Sequence, residues 1–145
     1  MDEDRLKKGD AMRRRVLGDA YVESRRGTAT EFTRDLEALI TGFAWGEMWT
    51  RPGLDPKIRS VVTLVIAATR SQWDEYRVHV RGAINNGLTR EELREVLLHT
   101  AVYGGFPAAR TGFKEAQGVL AEMEAEKAGG RWPLRWKGQI QLSSC

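Results

Sequence analysis

The chain has 145 residues, 41% of them hydrophobic and 30% charged, with a net charge of +3. That length supports one domain with its own core, and no apolar run approaches the roughly 18 residues of a membrane span. The basic excess is small and interspersed with acids, which argues against a broad nucleic-acid surface and suits small anions instead.

Residues 1–16 are charged throughout, with no apolar stretch of a secretory signal, so a cytoplasmic location is expected. They read as a first helix that Gly18 ends, with Arg13-Arg14-Arg15 on its solvated face. Tyr21 to Gly27 reads as connection. Thr30 then offers a cap for a helix carrying Phe32, Leu36, Leu39, Ile40 and Phe43 as one apolar stripe. Asp55-Pro56 is a second start signal, and Ile58, Val61, Val62, Leu64, Val65 and Ile66 follow it. A helix apolar around most of its circumference is expected to be the central buried one.

Ser71 begins a further helix that Asn85-Asn86-Gly87 stops. Thr89-Arg90-Glu91-Glu92 has the form of a capping box, and Leu93, Val96, Leu97 and Ala101 line the helix it opens. Gly104-Gly105 ends that helix, and Pro107 opens a last one with Phe113, Ala116, Leu120 and Met123 facing inward. The pattern predicts an all-α, single-domain bundle of about six to seven helices over residues 1–128. Residues 129–145 read as a tail, in which Trp132 and Trp136 either dock or stay free and Cys145 is a lone thiol.

The stretch from Phe43 to Leu54 brings together Trp45, Glu47, Trp49 and Arg51 between two helical segments. It reads as a loop. Aromatics there either belong to the core or line a pocket, and Arg51 beside them suits a carboxylate ligand. Arg59 lies within the most apolar helix, where a guanidinium needs a protein carboxylate or a bound anion. Glu75 and His79 stand four apart, on one helical face. A carboxylate there either makes a simple surface pair or fixes the imidazole's tautomer for proton transfer. His79 and His99 are the two histidines, without metal-ligand spacing, and no nucleotide-binding or nucleophile-elbow pattern occurs.

Taken in order, Phe43 to Leu54, Arg59-Ser60, Glu75 to Arg81, Asn85 to Thr89, Leu97 to His99 and Tyr103 to Ala108 resemble one family. It is the carboxymuconolactone decarboxylase family, within the alkylhydroperoxidase D-like superfamily, and the resemblance runs from about Asp4 to Glu124. The resemblance implies a cofactor-free, metal-free decarboxylase of the β-ketoadipate pathway, acting on a dicarboxylate lactone and assembled as a homotrimer or homohexamer. It implies His79, Glu75 and Glu47 as catalytic candidates, and Trp45, Arg51, Arg59, Arg81 and Tyr103 as substrate-binding candidates.

Thiol peroxidases of the same superfamily use a pair of cysteines before a histidine. If His79 is that histidine, Gln72 and Glu75 hold the cysteine positions, so thiol chemistry is disfavoured. A non-catalytic binding module is the other alternative. Two positions depart from the decarboxylase pattern. Tyr21 stands where a histidine is usual, and Arg110-Thr111 replaces a smaller or amide-bearing pair.

Overall fold

A computed structural model describes residues 2–129. Every regular element among them is helical: α1 (Glu3–Leu17), α2 (Asp19–Arg26), α3 (Arg34–Leu39), a π-helix (Ile40–Met48), α4 (Pro56–Thr69), α5 (Trp73–Asn85), α6 (Arg90–Gly104) and α7 (Phe106–Lys127). The expected tail, with Trp132, Trp136 and Cys145, lies outside the described residues from 130 onward.

Local signals place most helix ends. Asp55 accepts the Lys57 amide at 2.7 Å with Pro56 in the first turn, as an N-cap should. Thr89 and Glu92 complete their capping box at 3.0 and 3.1 Å. Lys57 also pairs with Glu92, tying the starts of α4 and α6 together and holding the Glu92 carboxyl below its ordinary range.

Several expectations change, among them the full burial of α4, which has one exposed face. Tyr21 to Gly27 is mostly helix, because Gly18 turns the chain and the short α2 follows immediately. The segment expected as an aromatic loop is a π-helix through Met48, shown by the Trp49 amide bonding back five residues to the Ala44 carbonyl at 3.0 Å. The stripe Phe32, Leu36, Leu39 and Phe43 is exposed, not core. The α-helix lasts only from Arg34 to Leu39, so a 3.6-residue period does not carry across the whole stripe.

The helices form two packed groups that share α5. On one side α4, α5, α6 and α7 enclose an aliphatic core of Leu64, Tyr76, Val80, Leu93, Leu97 and Val119. Full burial of each such side chain contributes about 1.5–3 kcal/mol. The Tyr76 hydroxyl donates to the Gly112 carbonyl at 2.7 Å, fixing α7 on α5, and burial pushes its pKa up. Helix α4 is buried on one face only. Leu64, Ala67 and Ala68 face the core, while Ile58, Val62 and Ile66, on the opposite stripe, are about half exposed. They, with Leu98 and Val102 of α6, leave an apolar surface.

On the other side α1 packs on the π-helix, backbone against backbone. A Cβ on Gly9 would stand 1.8 Å from the Thr41 carbonyl oxygen, and one on Gly46 2.3 Å from that of Arg5. Only glycine permits this approach. It brings Val16 and Leu17 of α1 against Trp45, Trp49 and, from α5, Val78.

Candidate active site

His79 is the point where the two groups meet. Val80 and Ala83 of α5 enter the aliphatic core and Val78 enters the indole cluster. His79, 3% exposed, lies beside both indoles. Its ring is 6.0 Å from Trp45 and 5.9 Å from Trp49, nearly parallel to each at 10° and 17°. The two indoles stack at 4.7 Å, since a spacing of four places them on one side of their helix.

The imidazole is polarised. Nε2 lies 3.0 Å from Glu75 Oε1 one turn earlier, while the buried Nδ1 has no protein partner. The His79 hydrogen bond is the main reason the Glu75 carboxyl is held below its ordinary value; burial opposes this, and the charges of Arg13 and Arg25 add to it. An ionised Glu75 accepts from Nε2–H, so Nδ1 is the nitrogen left for another molecule. Tyr21, packed against the indole cluster, is near enough to feel Glu75, Arg25, Arg13 and Glu37, and burial raises its pKa.

Thus His79, Glu75 and Trp45 come together as the sequence suggests. The other expected site residues have different engagements. Glu47 pairs with Arg5 at 3.1 Å. Arg59 donates to the Arg51 carbonyl at 3.0 Å, so its protein partner is the turn after the π-helix and not a carboxylate; its buried Nε has no protein partner. Arg51 itself is exposed. Arg81, two residues past His79 and so on the far side of α5, holds Glu126 of α7 through contacts of 2.7 and 3.0 Å. Tyr103 lies 5.0 Å from His99 on the rim of a groove between α4 and α6, of about 470 Å³, whose lining includes Val61, Val65 and Val96. That groove shares none of its lining with the His79 cluster.

Two residues were not singled out by the sequence. Arg13 is 7% exposed, and Arg25 stands near it. Arg13 falls on the buried stripe of Gly9, Val16 and Leu17, a spacing that could have separated it from Arg14 and Arg15. Among the described residues no three of His, Cys, Asp or Glu converge to hold a metal ion.

A helical fold that buries a carboxylate-held imidazole against stacked indoles, with one nitrogen open, is that of a protein acting on small molecules between packed helices. The chain belongs to the carboxymuconolactone decarboxylase family, whose model matches residues 34–118. It is 38% identical to a 4-carboxymuconolactone decarboxylase of Acinetobacter baylyi over 122 residues, 84% of this chain and 91% of that protein. It is 46% identical to a nitrosuccinic acid decarboxylase of Metarhizium robertsii over 115 residues, 79% of this chain and 80% of that protein. An uncharacterised 15.0 kDa protein of Paracoccus denitrificans is 32% identical over 84 residues, covering 57% of this chain and 63% of that one.

Proposed function

We propose that the protein is a cofactor-independent decarboxylase that converts 4-carboxymuconolactone to the β-ketoadipate enol-lactone, in the catabolism of protocatechuate. The observation that carries this reading is the open Nδ1 of a buried histidine whose other nitrogen is held by Glu75. When the ring carboxylate leaves as CO2, its bonding pair moves through the C=C bond into the lactone carbonyl. The dienolate then takes a proton at carbon. His79 supplies that proton from Nδ1 as an imidazolium, whose charge Glu75 stabilises, and the transfer leaves a neutral ring with Nε2–H still donated to Glu75 until Nδ1 takes up another proton from solvent. Trp45 and Trp49 give the departing carboxylate a poorly hydrated wall, which favours neutral CO2 over the hydrated anion.

A second reading concerns the substrate. The identity of 46% to a nitrosuccinic acid decarboxylase favours an acid whose electron sink is a nitro group, and Tyr21 in place of a histidine departs from the lactone decarboxylase pattern. The demand on the protein is the same: the pair left behind enters the nitro group, and the carbon is then protonated. Incubating the protein separately with 4-carboxymuconolactone and 2-nitrosuccinate, and following CO2 release, decides between them. Release from neither acid would overturn both. The half-exposed apolar stripes of α3 and α4 support a homo-oligomer, trimeric or hexameric. Sedimentation as a monomer at micromolar concentration would rule that out.

A further inference from the structure

The groove between α4 and α6 is an apolar trough that the described residues leave uncovered. Val61, Val65 and Val96 line it, together with the His99–Tyr103 ring pair. The two helices lie side by side and run the same way. Lys57 and Glu92 join their starts at 2.7 Å. At their far ends a Cβ on Gly104 would stand 2.7 Å from Thr69 Cγ2. The groove therefore has a near end, by Val61 and Glu95, and a far end, by Thr69 and Gly104. From Val61 to Thr69 it is about 12 Å long, at a helical rise of about 1.5 Å per residue. An apolar trough of about 470 Å³ left in water forfeits the free energy of covering it.

The chain beyond α7 sets out from beside the near end. Arg90, which opens α6, pairs with Glu124 in the last turn of α7, and Gly129 turns the backbone there with a φ of +89°. The sequence that follows alternates. Trp132, Leu134, Trp136, Ile140 and Leu142 take even positions, and Arg131, Arg135, Lys137, Gln139 and Gln141 take odd ones. A period of two gives an extended chain one apolar edge. Crossing α6, roughly 10–12 Å wide, while advancing from Arg90 to Glu95 takes about five extended residues at about 3.3 Å each. Counted from Gly129, the part that arrives at the near end is Leu134, and four residues more fill the groove. Charge adds a smaller argument. Arg131, Arg135 and Lys137 are the charged side chains of residues 130–145. At the near end Lys57 is taken by Glu92 and Arg90 by Glu124, while exposed Glu95 has Arg94 at 3.8 Å and exposed Glu91 has no ion pair among the described residues.

We propose that this groove is covered by the chain's own C-terminal segment, with Leu134 entering beside Val61 and the Trp136 indole seated among Val65, Val96 and the His99–Tyr103 pair. An indole matches a site that is part aliphatic and part aromatic. Arg131 and Arg135 pass Glu91 and Glu95 on the way. The inference is independent of the substrate, and it leaves the outer stripe of α4, Ile58, Val62 and Ile66, for contact with a second subunit.

Methyl NMR of the full chain tests it. Trp136→Ala should shift the Val65 and Val96 methyl resonances, because it withdraws an aromatic ring from them, and leave those of Val16 and Val22, buried on the far side of α5, in place. Trp132→Ala should shift the groove methyls less. Residue 136 lies beyond α7, so its variant should keep the wild-type circular dichroism. Unmoved Val65 and Val96 resonances in Trp136→Ala would overturn the proposal. A cross-link identifies the chain that supplies the segment. Thr69→Cys with Gln139→Cys, in a Cys145→Ser background, should close a disulfide within one chain under mild oxidation, and adding Trp136→Ala should cut its yield severalfold. A covalent dimer as the main product would give the groove to a second copy. A yield indifferent to Trp136 would leave the groove to some other occupant. Either result overturns the proposal.

Discussion

The two packed groups on either side of α5 treat buried polar atoms in opposite ways. In the aliphatic core each one meets a partner: Tyr76 donates to Gly112, Ser60 Oγ accepts from Asn86 at 2.9 Å, and Thr100 donates to the Val96 carbonyl at 2.8 Å. In the indole group, Arg13 Nε and His79 Nδ1 are left open. The third open atom among the described residues, Arg59 Nε, is on α4 of the aliphatic side, where that side chain reaches back to the turn before the helix. An unmet buried donor or acceptor costs about 1–3 kcal/mol. Among the described residues two of the three such atoms lie on the indole side, and the one on the aliphatic side, Arg59 Nε, lies outside the packed core.

His79→Ala should break this contrast most sharply. It should lower turnover by about a hundred- to ten-thousandfold while the protein stays folded by far-ultraviolet circular dichroism, because it removes a positioned acid. Turnover within threefold of the wild type would contradict the role given to Nδ1. Gly46→Ala should have the largest structural effect. The added methyl meets the Arg5 carbonyl at a distance no packing tolerates, so α1 must move off the π-helix, at a cost of about 3 kcal/mol, read by urea unfolding. The indole stack should be lost with it. Tyr76→Phe acts on the other group. It should cost about 1 kcal/mol in unfolding and leave kcat unchanged.

The smallest effect is on pH dependence. Glu75 has a lowered pKa in the fold, so its contribution to stability is present above the ordinary carboxylate range and is lost as pH falls through the folded value. Glu75→Gln should therefore flatten the acid side of the stability profile and narrow the gap to wild type at low pH. An identical slope in the two proteins would show that the His79 contact is not what sets that carboxyl.

The helix ends that the sequence announced, at Asp55-Pro56 and Thr89 to Glu92, depend on hydrogen bonds within three residues, so local pattern suffices. The pairing of Glu75 with His79 was legible for the same reason, being one turn of one helix. What the sequence hid depends on winding or on distant contacts. The change to π-helical winding at Ile40 carries no residue signature, and it turned an expected loop into a helix and accompanies a stripe that faces outward. Arg13 was concealed inside a basic run because each of its neighbours faces elsewhere: Arg14 pairs with Asp10, Asp19 and Glu23, and Arg15 is exposed. Arg81, a neighbour of His79 in sequence, was drawn into the site on paper and lies across α5 from it in fact, because two residues along a helix is about half a turn.

The parallel indoles have an optical consequence. Two such chromophores stacked 4.7 Å apart couple their excited states, and coupled transitions give a paired band of opposite signs in far-ultraviolet dichroism. The indole stack is therefore an intrinsic reporter, and any event that separates the two rings can be watched in unlabelled protein.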